Sequence, residues 1–153
     1  MISLEQALES VFKEFKGIVL DIGCSTGRNI KLLIRVTPRL THVIGLDINI
    51  TKLKGALEYI PRGAVSLICS SASILPLRDQ SIDVITATLM LHELSEELVN
   101  PTLDEVLRVL KKRDKLVIAD KVMFKPSSPS EELTLLTEEV HRKALLYAKG
   151  IRT

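Results

Sequence analysis

A glycine-rich segment and one aspartate are the residues whose types and spacing point first to chemistry. Gly23 and Gly27 bracket the segment Gly-Cys-Ser-Thr-Gly directly after a short apolar run, and glycine lets a ligand approach the backbone closely. Asp47 follows roughly twenty residues later, at the end of the next apolar run, where a carboxylate can accept both hydroxyls of a ribose. The turn and the acid together indicate an adenosine-containing ligand.

The segment departs from two well-known phosphate-binding patterns. No lysine follows in the place that Gly-x-x-x-x-Gly-Lys requires, which disfavours a kinase or a nucleoside triphosphatase. Ser25 and Arg28 stand where Gly-x-Gly-x-x-Gly has its second and third glycines, which disfavours a pyrophosphate-binding NAD site. Another nucleotide-binding α/β protein stays open as an alternative.

One histidine and two cysteines are the remaining candidates for acid–base or nucleophilic catalysis. His92 follows the fourth apolar run and is the best-placed candidate for a general base, with a structural hydrogen bond at a strand end as the alternative. Cys24 and Cys69 are expected to be packing residues rather than nucleophiles. His42 and His141 lack companions at metal-ligand spacing, so no metal is expected.

Five short apolar runs predict the strands that position these residues. They cover residues 18–22, 43–48, 65–69, 82–88 and 116–119. Helical patterns lie between them, and parallel neighbours need such crossovers, so the sequence predicts an α/β fold: a doubly wound, mostly parallel sheet with helices on both faces. Ligands of such sheets lie at the carboxyl ends of the strands.

Local signals predict where the helices begin and end. Ser3 and Gln6 make a capping box that opens the first helix, and Gly17 is expected to end it. Asn100 and Pro101 are expected to be the N-cap and first residue of the helix before the fifth strand. A basic turn, residues 111–115, is expected between that helix and the strand, and a loop with a last helix is expected over residues 121–153.

Length and composition limit the class of protein. With 153 residues the chain suits one domain, divided into an N-terminal helix over 1–16, a core over 17–120 and the remainder. A net charge of +2 and 3% aromatic residues do not favour a nucleic-acid partner. The longest apolar stretch is too short for a membrane span and the N-terminus lacks a basic leader, so a cytoplasmic location is expected.

The ordered set of motifs resembles the class I S-adenosylmethionine-dependent methyltransferases, which have a Rossmann-like fold. The resemblance is greatest to the small-molecule branch that includes the ubiquinone and menaquinone biosynthesis methyltransferases. It covers roughly residues 10 to 120 and depends on the following segments: Val-Leu-Asp-Ile-Gly-Cys-Ser-Thr-Gly at 19–27, Gly-Leu-Asp at 45–47, Ser-Ala at 71–72, Leu-Pro-Leu at 75–77, Ser-Ile-Asp-Val-Ile at 81–85, Leu-His-Glu at 91–93, and 105–110 with 116–118.

The resemblance implies a role for each matching position. Gly23 and its neighbours would hold the methionine end of S-adenosylmethionine, Asp47 would hold the ribose, Ile48 would lie against the adenine, and Leu89 would line the sulfonium end. Asp21 is expected to support the turn through backbone hydrogen bonds. The complete set of expected cofactor-binding residues is Asp21, Gly23, Cys24, Ser25, Gly27, Asp47, Ile48, Ser71, Ala72 and Leu89, with His92 as the catalytic candidate.

The resemblance also implies the reaction. Methyl transfer is an in-line displacement, and the segment 86–91 lacks the Asn/Asp-Pro-Pro-aromatic motif of amide and adenine methylation, so a small-molecule acceptor is expected. The product of the cofactor would be S-adenosylhomocysteine. The alternatives are a protein or RNA methyltransferase, and a cofactor-binding module that needs a partner chain for activity.

The family fold closes with an antiparallel hairpin of two further strands. Only residues 151–153 follow Gly150, so that hairpin is expected to be absent from this chain. Two explanations stay open: the chain is a fragment, or it is a naturally short version whose sheet edge is covered by its last helix or by a second copy in a homodimer.

Overall fold

The computed structural model describes residues 3–61 and 63–120, and these residues form a five-stranded parallel sheet with helices on both faces. The elements along the chain are α1 (Leu4–Phe12), β1 (Lys16–Ile22), α2 (Arg28–Val36), β2 (Arg39–Asp47), α3 (Ile50–Leu57), β3 (Val65–Cys69), β4 (Ile82–Thr88), a single 3-10 turn (Leu91–Glu93), α4 (Glu96–Val109) and β5 (Leu110–Ala119). The loop and last helix predicted for residues 121–153, and the predicted absence of a hairpin after them, lie outside the described residues.

The strand order is β3-β2-β1-β4-β5, and every neighbouring pair is parallel. This confirms the doubly wound sheet that the alternating pattern predicts. The chain runs outward from β1 to β3 and then crosses back to β4 on the other side of β1. The direction of winding therefore reverses between β1 and β4, and the carboxyl ends of the strands near such a point are the usual ligand position in doubly wound sheets.

Alternate side chains of the strands enter two separate cores. Val19, Val43 and Val84 pack with the helices α1, α2 and α3 on one face, whereas Leu20 and Ile85 pack with α4 on the other. All five are nearly inaccessible to solvent. Burial on both faces explains why these strands are continuous apolar runs instead of alternating ones.

The first helix begins as expected and ends earlier than expected. Ser3 and Gln6 exchange the two hydrogen bonds of a capping box, but α1 stops at Phe12. Gly17 is not the helix terminator; it lies in β1 with φ +80°, and a Cβ there would be 2.3 Å from Oδ2 of Asp83. The register of β1 against β2 shifts at this glycine, which accounts for its type.

The prediction that α4 starts at Asn100 and Pro101 is wrong. The helix begins after Ser95, with Glu96 and Glu97 in its first turn, where carboxylates favour the positive end of the helix dipole. Pro101 lies inside α4 and lacks the N–H that would bond one turn back, a cost the helix tolerates because its apolar face packs on the sheet.

The prediction of a basic turn over residues 111–115 is also wrong. These residues belong to β5, which starts at Leu110 directly after α4. The pairing of β5 with β4 is irregular here, because Ile82 pairs with Leu110 whereas Val84 pairs with Lys115, and Arg113 has φ +70°. The basic residues thus form a bulge within the strand. Asp83 fixes this end of the sheet by accepting from Ile18 N at 2.8 Å and Lys111 Nζ at 2.7 Å.

Candidate functional site

The turn between β1 and α2 is held open for a ligand by left-handed backbone conformations. Gly23, Ser25 and Gly27 have φ values of +71°, +51° and +84°. The amides of Gly23 and Cys24 both donate to the carbonyl oxygen of Leu46, at 2.7 and 3.0 Å, so the turn is fastened to the end of β2. A Cβ on Gly23 would lie 2.6 Å from Cγ of Met90, which leaves glycine as the residue that fits.

Asp47 lies at the end of β2 and is joined to that turn. Its Oδ2 accepts the Ser25 amide at 2.8 Å, and its Oδ1 accepts the Asn49 amide at 2.8 Å. The carboxylate is 8% exposed, and each oxygen keeps a further lone pair for a hydroxyl donor. The structure therefore brings together the turn and the acid that the sequence paired by spacing.

Asp21 is the buried carboxyl of the site. It is 1% exposed, and its Oδ1 accepts the Thr86 hydroxyl at 2.7 Å, whereas Oδ2 is buried and has no hydrogen-bond partner within the described residues. Burial raises the pKa of Asp21 to about 6, with a smaller contribution from the charge of Asp47. The expected backbone support is wrong: the turn is held by Leu46 and Asp47, and Asp21 bonds to a side chain of β4.

Cys24 contributes backbone to the turn and its side chain to the core. The thiol is buried, and a Cβ built on Gly45 would be 2.9 Å from its sulfur. Burial raises the pKa of Cys24 to about 12, and the charges of Asp21 and Asp47 act in the same direction. A thiol that stays protonated is a poor nucleophile, which agrees with the packing role predicted for it.

The side chains that follow β2 and β3 lie at the same edge of the sheet as Asp47. Ile48 is 74% exposed, and Ala72 is buried among the residues of the α4 face. The hydroxyls of Ser71 and Ser73 share a hydrogen bond of 2.8 Å, so Ser71 is already engaged within its own loop. The amide of Ser70 donates to the carbonyl of Asp47 at 3.2 Å, which connects this loop to the end of β2.

Two residues of α4, for which no role is predicted from the sequence, hold that loop in place. Glu105 accepts the Leu75 amide at 2.6 Å, and Arg108 donates to the carbonyl oxygens of Leu75 and Leu77, each at 2.9 Å. Arg108 also bonds both oxygens of Glu105, and this interaction lowers the pKa of Glu105. We call this arrangement, Glu105 and Arg108 against the loop at residues 75–77, the loop clamp.

The ends of β4 and β5 form the other side of the site. Leu89 has φ +52°, is 38% exposed, and donates its amide to the Ala119 carbonyl at 2.7 Å. The Thr88 hydroxyl is buried with no partner in the described part of the chain. His92 lies in the 3-10 turn that follows, and its Nδ1 is 2.5 Å from Oδ1 of Asp120. Asp120 was missed by sequence reasoning, because a single acid after a strand gives no signal of its partner.

His42 lies within β2, five residues before Asp47, and His141 lies outside the described residues. His42 pairs with Ser66 at 2.9 Å on β2 and β3. Within residues 3–61 and 63–120 no three His, Cys, Asp or Glu side chains gather as metal ligands. Among the same residues no helix has the length and apolarity needed to cross a membrane.

The fold and the site together define an α/β domain whose ligand site lies at the carboxyl ends of its strands. The sequence model of the family described as "Methyltransferase domain" matches residues 20–118, which is more than half of the chain. No curated protein matches the sequence.

Solved structures share the fold. An S-adenosylmethionine-dependent methyltransferase from Aquifex aeolicus has 26% identity and a TM-score of 0.66, over 89% of this chain and 78% of that one. One from Mesorhizobium loti has 23% identity and a TM-score of 0.64, over 74% and 51%. A complex of the Haloferax volcanii Trm112 methyltransferase activator with a putative methyltransferase gives 20% identity and 0.65, over 72% and 48%. The chain thus spans about half the length of the last two.

The chain belongs to the methyltransferase-domain family.

Proposed function

We propose that this chain binds S-adenosylmethionine at the carboxyl ends of β1, β2 and β3 and transfers its methyl group to a small-molecule acceptor beyond β4 and β5. The observation that carries the proposal is the pair of hydrogen bonds that the Asp47 carboxylate accepts, one from the Ser25 amide of the turn and one from the Asn49 amide of its own loop, because they preorganise this carboxylate beside the turn. The relationship to the small-molecule branch that includes the ubiquinone and menaquinone enzymes is part of this proposal.

The donor set fits the cofactor. Asp47 offers lone pairs to the ribose hydroxyls, and the unpartnered Oδ2 of Asp21 suits the cationic methionine end near the Gly23 turn. Ile48 provides exposed apolar surface for the adenine, with Ser71 and Ala72 at its edge and Leu89 toward the sulfonium. Ser25 and Gly27 contribute backbone to the turn, as does Cys24.

The protein's part in the reaction is mainly geometric. When bound, the cofactor supplies a methyl group already activated by a positively charged sulfur. The turn, Asp47 and the loop clamp hold the donor side in place, so that the barrier is lowered by positioning. His92 is the residue of the acceptor side that can take a proton.

Calorimetric titration with S-adenosylhomocysteine tests the proposed cofactor site. We expect the wild type to bind and Asp47→Asn to bind about 10- to 100-fold more weakly, since a hydrogen bond to a charged group contributes about 1.5–3 kcal/mol. Asp104→Asn, which changes an exposed acid on α4, should bind like the wild type, and NAD should not bind. Wild-type affinity in a folded Asp47→Asn variant would count against the proposal.

Methyl transfer from labelled S-adenosylmethionine to a panel of small molecules tests the proposed class of acceptor. Activity on tRNA or protein alone would overturn the small-molecule assignment.

A second candidate is a domain that binds the cofactor but needs a partner chain for turnover. It is favoured by one observation, the likeness in fold to a protein that was solved in complex with a methyltransferase activator. It predicts that S-adenosylhomocysteine binds to the isolated chain but no acceptor is methylated until a partner is added.

A further inference from the structure

His92 and Asp120 form a polar pair beyond the ends of β4 and β5. Oδ1 of Asp120 lies 2.5 Å from the ring Nδ1, and Oδ2 accepts the His92 backbone amide at 3.2 Å. The side chains are 21% and 13% exposed. One carboxylate therefore contacts both the backbone and the ring of the same histidine, which fixes the ring's direction relative to the chain.

This contact also selects the tautomer of the ring. An ionised carboxylate only accepts hydrogen bonds, so Nδ1 must carry the proton that lies between the two residues. In the neutral ring Nε2 then has the free lone pair, and it is the atom that can take a proton from another molecule. When Nε2 is protonated, the negative charge of Asp120 stabilises the resulting imidazolium.

Building on the proposed function, we infer that Asp120 is a positioning residue that holds His92 with Nε2 ready to accept a proton, and that the acceptor is a small molecule methylated on a hydroxyl group. The Leu89 amide donates to the Ala119 carbonyl, which joins the end of β4 to the end of β5 beside His92 and Asp120. The neutral hydroxyl is the class of acceptor for which a positioned base matters most, because its oxygen must lose a proton as it is methylated.

The step balances as follows. The acceptor oxygen forms a bond to the methyl carbon while the carbon–sulfur bond breaks, and that electron pair stays on sulfur, which becomes the neutral thioether of S-adenosylhomocysteine. The hydroxyl proton moves to Nε2 of His92. The positive charge thus passes from sulfur to the imidazolium beside Asp120, and solvent takes the proton later.

Long-range 1H–15N spectra of the labelled full chain test the positioning without any turnover. We expect the neutral His92 ring to carry its proton on Nδ1 in the wild type and to shift toward the Nε2-protonated tautomer in Asp120→Ala. His92→Gln assigns the signals among the three histidines. His42, which bonds to Ser66, is the internal control and should not change. An unchanged His92 signal in a folded Asp120→Ala variant overturns the inference.

Kinetics test the acceptor class. With hydroxyl probes, namely 3,4-dihydroxybenzoate, phenol and glucose, Asp120→Asn should lower kcat at least about tenfold and leave the KM for S-adenosylmethionine within about twofold. With 4-nitrothiophenol, which reacts as a thiolate and needs no base, the variant should lose less than about twofold. Equal losses for both classes, or turnover of the thiolate with no hydroxyl probe accepted by the wild type, overturn the assignment.

The failure of the proposed function would be seen separately. If S-adenosylhomocysteine does not bind to the wild-type chain in calorimetry, the donor site is wrong, and the tautomer spectra alone then support or overturn the role of Asp120.

Discussion

The amide of Ser25 donates to Oδ2 of Asp47 at 2.8 Å, although the two residues are 22 positions apart. This bond joins the turn after β1 to the end of β2 before any ligand arrives. A carboxylate that is already oriented loses less freedom when a ligand binds, which is why preorganised sites bind more tightly than flexible ones with the same groups.

Two glycines should respond in opposite ways to alanine. Gly23→Ala places a Cβ 2.6 Å from Met90 in a left-handed conformation, so we expect a loss of about 2–4 kcal/mol in the free energy of unfolding. Gly55→Ala, inside α3 with its nearest neighbour at 4.0 Å, should gain about 0.5–1 kcal/mol. Urea denaturation of both variants checks this, and a stable Gly23→Ala would show that the turn can relax.

Asp21 should make stability depend on pH in a defined interval. Its pKa is raised from 3.8 to about 6 by burial, so between these values the folded chain holds a proton that the unfolded chain has lost. The free energy of unfolding should therefore fall as pH rises from about 4 to about 6, by roughly 3 kcal/mol for a gap of about two pH units. Below pH 4 both states are protonated, and above pH 7 neither is.

The variant Asp21→Asn isolates this effect. The difference in unfolding free energy between wild type and variant should decrease through the same interval and be constant above pH 7. A difference that does not vary with pH would mean that Asp21 titrates alike in the folded and unfolded chains.

The loop clamp should be needed for the loop after β3 to keep its shape. Arg108→Ala removes the donors to the Leu75 and Leu77 carbonyls and leaves Glu105 without its cationic partner, so we expect a loss of about 1–3 kcal/mol in the free energy of unfolding. Hydrogen exchange should become faster at residues 70–79. Arg35→Ala, which breaks only exposed pairs with Glu5 and Glu9, is the control and should cost less than about 1 kcal/mol.

The two cysteines should differ in reactivity toward a thiol reagent. Cys69 is exposed, so the packing role expected for it is wrong, whereas Cys24 is buried and has its pKa raised to about 12 by that burial. At pH 8, alkylation of the native chain should modify Cys69 rapidly and Cys24 only on unfolding. Mass spectrometry of peptides from briefly treated protein identifies the labelled site, and rapid labelling of Cys24 would contradict the packing described for it.

The sequence predicted the elements whose signals are local. All five strands were placed, because burial on both faces makes Val19, Leu20 and their neighbours continuous apolar runs. Gly23 and Asp47 were paired correctly, since strand ends meet at one edge of a parallel sheet. Membership of the methyltransferase family was also predicted from the motifs before the family model confirmed it.

The errors arose where tertiary contacts override local preference. Pro101 has a strong preference for a helix start, but α4 begins five residues before it, with Glu96 and Glu97 in the first turn. The buried side chains of α4 all follow Pro101, and their packing outweighs one lost hydrogen bond. The basic residues 111–115 have the composition of a turn, yet pairing with β4 and the ion pair of Lys111 with Asp83 keep them in the strand. Contacts of Arg108 and Asp120 span roughly thirty residues, a range at which one sequence shows no pairing.

The central position of β1 has a consequence for how such a domain can change. The turn after β1 is hydrogen-bonded to Asp47 of β2 on one side, and Asp21 of β1 accepts a hydrogen bond from Thr86 of β4 on the other, so β1 connects the two halves of the sheet. His92 and Asp120 lie beyond the ends of β4 and β5 and bond to each other. We therefore expect substitutions of these two residues to change which acceptor is used while Asp47 and the turn after β1 keep their arrangement.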